Sequence, residues 1–157
     1  MRLLAIRMLQ YGAEDPELSY AFLYSNLLKS LQQELNLSYL FISHNLAVVE
    51  YLAHDVCVMY LGRIVERGPI EEVLHHPQHP YTQALLSAVP RINGQGTEVV
   101  RLAGDMPSPA NPPQGCYFHP RCPKVMQVCR TVYPSATGAS STHQVHCHLY
   151  GQSNEVK

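Results

Sequence analysis

The chain has 157 residues, 46% of them apolar, and 11 basic and 12 acidic residues give a formal net charge of -1. This length suits one domain, and the apolar content is sufficient for a hydrophobic core. The charges are scattered without runs, which argues against nucleic acid or an anionic lipid surface as a partner.

Residues 1–25 show no clear period and predict no particular element. Their apolar stretch is interrupted by Arg7 and is too short for a signal-peptide core or a membrane span. We therefore expect a soluble protein of a reducing compartment, where cysteines serve as thiols or metal ligands more often than as disulfides.

From Asn26 onward the pattern predicts alternating helices and strands. One helical stripe contains the leucines 27, 28, 31 and 35, and Asn36 is a suitable helix end. The next run, SYLFIS, predicts a strand buried on both faces of a parallel sheet. A helix is predicted over HNLAVVEYLAHD, with Leu46, Val49 and Ala53 facing inward.

The sequence VCVMYLGRIVERG predicts two strands around a turn at Leu61 and Gly62, and Cys57 in the first of them is expected in the core. Short helices follow over PIEEVLHHP, with Pro69 in its first turn, and over HPYTQALLSAVP. This order of elements predicts an α/β fold.

After Pro90 the density of Gly, Pro, Asn and Ser predicts a linker or an extended strap. The segment from Cys116 to Tyr150 has four cysteines but too few aliphatic residues for a core of its own. Such a segment needs a metal or another surface to become ordered.

His44 follows the predicted strand SYLFIS and precedes the next helix. Phosphate ligands bind at the carboxyl ends of parallel strands and at helix N-termini, so this imidazole is a candidate contact for a terminal phosphate. The alternative is that Ser43 or Asn45 caps the helix and His44 is an ordinary surface residue.

Four thiols, Cys116, Cys122, Cys129 and Cys147, form a set suited to an iron-sulfur cluster or a structural zinc ion. No close C-x-x-C pair is present, unlike in the common zinc ribbon. A mixed site remains open, in which one of four histidines replaces a cysteine: His119, His143, His146 or His148. Two disulfides, or four unbonded cysteines, are the remaining alternatives.

The run from Asn26 to Gly68, with SHNLAVV at its centre, resembles the last part of an ABC-transporter nucleotide-binding domain. This resemblance implies that His44 is the switch histidine, which contacts the γ-phosphate of ATP. Asn45 stands where that family commonly has Asp. The strings HPYTQALLSAVP and GCYFHPRCP narrow the resemblance to the C-terminal extension of dipeptide and oligopeptide importer ATPases.

By this resemblance, residues 26–76 are the C-terminal part of the nucleotide-binding domain and residues 77–157 are the irregular, cysteine-rich extension, preceded by an unmatched segment, 1–25. It implies that Cys116, Cys122, Cys129 and Cys147 are ligands of a [4Fe-4S] cluster, with zinc as the alternative. It also implies transmembrane permease subunits and a second ATP-binding subunit as partners, and a cytoplasmic location at the inner face of the membrane.

The chain departs from the family because it contains no G-x-x-x-x-G-K-[ST] phosphate loop, signature loop or matching catalytic carboxylate. We expect a fragment, from a truncated or frame-disrupted gene, that neither binds nor hydrolyses ATP alone. The competing hypothesis is a non-enzymatic metal-binding or regulatory module that docks on a transporter.

Overall fold

A computed structural model describes residues 4–7, 18–89, 99–138 and 140–151, with side chains from residue 24 onward. The first half contains strand β1 (Leu4–Arg7), helix α1 (Leu18–Leu35), strand β2 (Leu40–Ile42) and helix α2 (Leu46–Leu52). Strands β3 (Asp55–Tyr60) and β4 (Arg63–Pro69) follow, and then helices α3 (Ile70–His75) and α4 (Pro80–Ser87).

The C-terminal segment contains little regular structure. Two 3₁₀ helices, His119–Arg121 and Gln127–Arg130, precede the short strands β5 (Thr137–Gly138) and β6 (Gln144–Val145). Residues 99–115 form neither helix nor strand, in agreement with the predicted linker or strap, whereas residues 91–98 of that segment lie outside the described residues. No helix among the described residues is long and apolar enough to cross a membrane.

The six strands of the described residues belong to one mixed sheet in the order β2-β1-β3-β4-β6-β5. Strand β1 pairs in parallel with both β2 and β3, while β3, β4, β6 and β5 pair antiparallel. Residues 4–7, for which the sequence predicts no element, therefore lie between β2 and β3. The α/β prediction is confirmed in that helices and a sheet form the structure, although the sheet is mixed and not wholly parallel.

Strand β2 is correctly predicted in place but wrongly predicted as buried on both faces. Leu40 and Ile42 are 64% and 58% exposed, and only Phe41 between them packs against the core. The reason is position, because β2 is the outermost strand on its side of the described sheet. The sequence pattern indicates a strand but does not distinguish an edge strand from a central one.

Helix α1 begins earlier than predicted and buries less of its predicted stripe. Leu28 packs against the core, but Leu27 and Leu35 are 55% and 60% exposed. The helix ends at Leu35, as predicted, because Asn36 adopts a left-handed conformation with φ of 55°.

The turn between β3 and β4 is confirmed at Leu61 and Gly62, both of which have positive φ, as a two-residue hairpin turn requires. On one face of β3, Val56, Val58 and Tyr60 are buried, and Cys57 is also buried, as predicted. Helix α3 starts directly after Pro69.

The core lies mainly between the sheet and helices α2, α3 and α4. It also contains Phe118, whose ring contacts Tyr60 and Tyr81 at centroid distances of 5.2 Å and 5.4 Å. Residues on both sides of the predicted boundary at 76 and 77 thus contribute to one hydrophobic cluster. The C-terminal segment is ordered in part by this shared surface.

Candidate functional site

His44 lies in the turn between β2 and α2. The Oδ1 atom of Asn45 accepts hydrogen bonds from the backbone N–H groups of Ala47 and Val48, at 3.1 Å and 3.3 Å, and so caps α2. The Asn45 N–H in turn donates to Ser43 Oγ at 3.0 Å. Capping by Asn45 is confirmed, and His44 projects from this turn as an exposed residue.

This geometry gives His44 the position that its predicted role needs. It follows the carboxyl end of a strand that is parallel to its neighbour β1, where ligands bind in α/β sheets. An exposed imidazole there is accessible to a phosphate group. The role as a switch histidine stays a prediction.

The cysteine-rich segment folds back on itself beside the core. The Cys116 N–H donates to the Cys129 carbonyl at 2.8 Å, which places these two cysteines side by side. Gly115 permits this close approach with a φ of 68°, and a Cβ atom there would lie 2.4 Å from the Cys129 oxygen. Cys122 follows the first 3₁₀ helix and Cys147 follows β6.

The thiols influence one another electrostatically. Burial is the main cause that raises the pKa of the Cys116 thiol to about 11, and Cys129, Cys147 and Cys122 contribute to this rise. Burial also raises the pKa of Cys122 and of Cys147, and each thiol is affected by Cys129. The four thiols therefore occupy one neighbourhood.

Three of these thiols share a backbone contact that favours the thiolate form. A backbone hydrogen bond opposes the rise in pKa at Cys116, Cys122 and Cys147, and in each case it comes from the residue two positions later: Phe118, Lys124 and Leu149. Hydrogen bonds to sulfur are among the features by which proteins tune cysteine-ligated clusters.

All five cysteines are free thiols. Within the described ranges, no group of three or more His, Cys, Asp or Glu side chains is positioned to hold a metal ion. The structure therefore brings the four predicted ligands into one neighbourhood but not into a formed coordination sphere, and metal binding stays a prediction.

The four histidines considered as replacement ligands have other contacts. His119 Nδ1 lies 2.9 Å from the Cys116 oxygen, and His148 Nε2 lies 2.9 Å from the Val132 oxygen. His146 Nδ1 lies 3.3 Å from the Pro134 oxygen. His143 is buried against a carboxylate, Glu66.

The pair of Glu66 and His143 is a feature that the sequence analysis missed. Glu66 is fully buried, and its Oε1 atom lies 2.7 Å from His143 Nε2. The same carboxylate accepts hydrogen bonds from the N–H groups of Gln78 at 2.7 Å and His79 at 3.0 Å. Glu66 therefore joins β4, the start of α4 and the segment before β6.

Glu72 of α3 holds the same segment from the other side. Its two oxygens accept hydrogen bonds from Ser140 Oγ and Thr142 Oγ1, each at 2.8 Å. These bonds are the main cause of a lowered pKa for the Glu72 carboxyl. The sequence offers little indication of this network, because its partners lie far apart along the chain. Ser140 and Glu72, for example, are separated by 68 positions.

The string HPYTQALLSAVP also has a structural explanation. His79 is the N-cap of α4, and its Nδ1 atom accepts the Tyr81 N–H at 3.1 Å, while Pro80 occupies the first turn. Burial, followed by the charge of His146, lowers the pKa of His79 to about 3. A neutral imidazole is required for this contact, because a protonated Nδ1 cannot accept a hydrogen bond.

Residues 65–129 match the family model described as "Oligopeptide/dipeptide transporter, C-terminal region". The chain is 49% identical over 128 residues to the oligopeptide transport ATP-binding protein AppF of Bacillus subtilis, covering 80% of this chain and 39% of that protein. It is 54% identical over 110 residues to the dipeptide transport ATP-binding protein DppF of Escherichia coli, covering 69% and 33%. The corresponding DppF of Haemophilus influenzae is 54% identical over the same length. The chain thus spans between a third and two fifths of the length of these relatives.

Proposed function

We propose that this chain is the C-terminal part of an ATP-binding subunit of an ABC importer of peptides, because residues 65–129 match the model of an oligopeptide/dipeptide transporter C-terminal region. The observation that carries this proposal is the similarity to peptide-transport ATP-binding proteins at about half identity. In such a subunit, ATP hydrolysis would be coupled to peptide entry. Residues 26–76 would complete the nucleotide-binding domain, and residues 77–157 would form its extension.

In this proposal His44 is the residue that contacts the γ-phosphate of ATP. Its exposed position at the start of α2 supports this role, because a donor there faces the side of the sheet at which phosphates bind. A single donor of this kind positions and stabilises charge but does not replace a phosphate loop or a catalytic carboxylate.

The chain alone would then bind no ATP, since its sequence contains no phosphate loop. Calorimetric titration of the purified chain with ATP and Mg²⁺ should show no binding in the micromolar range. A measured Kd of micromolar order would contradict this proposal.

A chimera tests the transport function directly. Residues 26–157 would replace the matching part of the E. coli DppF, and uptake of a labelled dipeptide would be measured in cells lacking that protein. We expect uptake to be restored, and His44→Ala to reduce it by at least tenfold, as for loss of a phosphate contact. His76→Ala, which removes another exposed histidine, is the control and should leave uptake unchanged.

The partners in this proposal are transmembrane permease subunits and a second ATP-binding subunit, at the cytoplasmic face of the membrane. A chimera that restores uptake must assemble with both. Recovery of the chimera with membranes that contain the permease, and not with membranes that lack it, would support this location.

The cysteine group favours a second function, as a metal-binding module. We infer that Cys116, Cys122, Cys129 and Cys147 hold a [4Fe-4S] cluster, with a zinc ion as the alternative. Support comes from their shared neighbourhood, their reduced state and the backbone hydrogen bonds to three of them. When bound, either group would cross-link the segment; a cluster would in addition permit electron transfer.

Metal analysis after anaerobic purification distinguishes these alternatives. Iron with acid-labile sulfide in equal amounts would support the cluster, and zinc without sulfide would support the structural ion. Cys129→Ser should abolish either signal, whereas Cys57→Ser, which changes a cysteine in β3, should not. Absence of both metals from the wild-type protein would refute metal binding and leave the transporter proposal standing.

A further inference from the structure

An open cleft of about 350 Å³ lies between the β3–β4 hairpin and the C-terminal segment. Its walls include Asp55 and Cys57 of β3, Arg67 of β4, and Thr142 and Gln144 of the C-terminal segment. Ligand-binding sites typically measure roughly 300 to 1,000 Å³, so the cleft suits a small molecule. Its described walls include neither the proposed phosphate contact nor the proposed metal ligands, so a ligand here would occupy a separate site.

The sheet fixes the positions of these walls. Arg67 pairs with Cys57 across β3 and β4, and with Gln144 across β4 and β6. Gly68 lets the C-terminal segment approach β4 closely, because a Cβ atom there would lie 3.1 Å from the Cα atom of His143. The cleft is therefore formed by neighbouring strands of one sheet and by a segment packed directly against them.

Arg67 supplies the positive charge of the cleft. Its Nε–H donates to Gln144 Oε1 at 2.9 Å, which orients the guanidinium, and the group forms no ion pair among the described residues. The remaining N–H donors form a planar fork that matches the two oxygens of a carboxylate. Arg67 is therefore a suitable binding group for a carboxylate.

Asp55 supplies a negative charge in the same cleft. It lies two residues before Cys57 on β3, so the two side chains share one face of the sheet. Burial is the main cause of a raised pKa for the Cys57 thiol, while Arg67 lowers this pKa and Asp55 raises it. Both charges thus act on the same wall. Because a carboxylate accepts several hydrogen bonds, Asp55 can accept an ammonium group in addition to its other contacts.

The spacing of the two charged residues indicates the length of a ligand that would contact both. Cys57 is the strand partner of Arg67, so Asp55 and Arg67 are offset by two residues along the sheet, or about 6.8 Å. An extended peptide of two residues spans about 7 Å. A single amino acid is shorter and carries both of its charges on one carbon atom.

We propose that this cleft binds a zwitterionic peptide of about two residues, with its carboxylate on Arg67 and its ammonium group on Asp55. Thr142 and Gln144 supply hydrogen-bonding groups beside the peptide unit. A bound peptide would link the β3–β4 hairpin to the C-terminal segment. This inference depends neither on metal binding nor on the transport role, so it is tested separately from both.

Titration of the whole chain with L-alanyl-L-alanine, followed by amide NMR shifts, tests the proposal. We expect saturable shifts at Cys57, Gly68 and Thr142, with a Kd of about 1 mM for a ligand of this size. Acetylation of the amino end, or amidation of the carboxyl end, should each weaken binding at least about fivefold, because each removes one charge. Alanine should also bind at least about fivefold more weakly, since it is too short to contact both residues.

Variants of the protein test the role of Arg67. Arg67→Gln should weaken binding about tenfold, whereas Arg101→Gln, which changes an exposed arginine outside the cleft walls, should leave it unchanged. Wild-type affinity in Arg67→Gln, or shifts without saturation in the wild-type chain, would overturn the proposal. Equal affinity of the wild-type chain for the dipeptide and for either blocked peptide or alanine would also overturn it. These ligand comparisons decide the outcome even if Arg67→Gln does not fold.

Discussion

At the scale of single residues, buried polar side chains decide how the C-terminal segment is attached. Glu66, His79 and His143 are each at most 2% exposed, and each has a defined hydrogen-bond partner. Buried polar groups are tolerated only when they are paired in this way. Two predictions follow from their pairing.

The lowered pKa of His79 predicts that the protein loses stability in acid. The pKa of His79 is lowered from its ordinary value of 6.5 to about 3 in the folded protein. Between these two pH values the imidazole is therefore protonated in the unfolded chain but not in the folded protein. The contribution of His79 to the free energy of unfolding should be fully present above about pH 6.5 and should decrease below that pH. At pH 4.5 the free energy of unfolding should be lower by about 3 kcal/mol because of this residue. Urea unfolding at a series of pH values measures the slope.

His79→Asn should flatten this slope, because Asn can cap the helix without titrating. His44→Asn changes an exposed histidine and should keep the wild-type slope. Equal slopes for His79→Asn and wild type would show that His79 is not the source of the acid sensitivity.

Glu66→Gln should destabilise the fold by about 3 kcal/mol, because it leaves His143 without its carboxylate partner in a buried site. In a glutamine side chain only the oxygen accepts hydrogen bonds, because the terminal nitrogen is a donor. The amide therefore cannot accept the Gln78 and His79 N–H groups with two separate atoms, as the carboxylate does. Glu71→Gln, at a position whose side chain is 82% exposed, should change stability by less than about 0.5 kcal/mol. A cost below about 1 kcal/mol for Glu66→Gln in chemical denaturation would contradict this account.

At the scale of elements, backbone conformation at a few positions determines how segments meet. Asn45 starts α2, Leu61 and Gly62 reverse the chain between β3 and β4, and Gly115 brings Cys116 to Cys129. The first two sites are local and were predicted from the sequence. Gly115 was not, because its partner is a distant carbonyl.

Two glycines with similar backbones allow a matched comparison. Gly115 and Gly104 have φ of 68° and 71°, but an added Cβ meets the Cys129 backbone only at Gly115, since nothing lies within 4 Å at Gly104. Gly104→Ala should cost about 1 kcal/mol from its backbone conformation. Gly115→Ala should cost at least about 2 kcal/mol more, because the Cys116 to Cys129 hydrogen bond must also break.

Thermal unfolding of both variants measures this difference. Gly115→Ala should in addition lower metal content if the cysteines bind metal, whereas Gly104→Ala should not. Equal stability of the two variants would show that the contact with Cys129 adds nothing to the role of Gly115.

At the scale of the whole molecule, the sheet and the C-terminal segment share one core. Phe118 packs on Tyr60 and Tyr81, and β6 pairs with β4 through Glu66 and Arg67. Residues on both sides of the predicted boundary therefore stabilise each other. We expect them to unfold together.

Phe118→Ala tests this expectation. Its ring is 1% exposed, so the substitution should cost about 4 kcal/mol and should reduce amide protection in β3 as well as around Phe118. Val132→Ala, at a position that is 51% exposed, is the control and should change neither. Amide hydrogen exchange that is altered only around Phe118 would indicate two independent units.

The sequence by itself determined the local features of this protein. Helix periodicity, the stop at Asn36, the cap at Asn45 and the hairpin turn depend on residues within a few positions of each other, so their pattern is readable along the chain. The resemblance to peptide-importer ATPases was also readable, because it resides in contiguous strings such as GCYFHPRCP.

Only the tertiary structure decided which strand lies at an edge, which histidines are buried and which residues surround the cysteines. The exposure of Leu40 depends on the order of strands, and the pairing of Glu66 with His143 joins positions 77 residues apart. Arg63 reaches Tyr117 and Tyr133 in the same way. Contacts of this kind depend on how distant segments pack, and a pattern read along the chain does not contain that information.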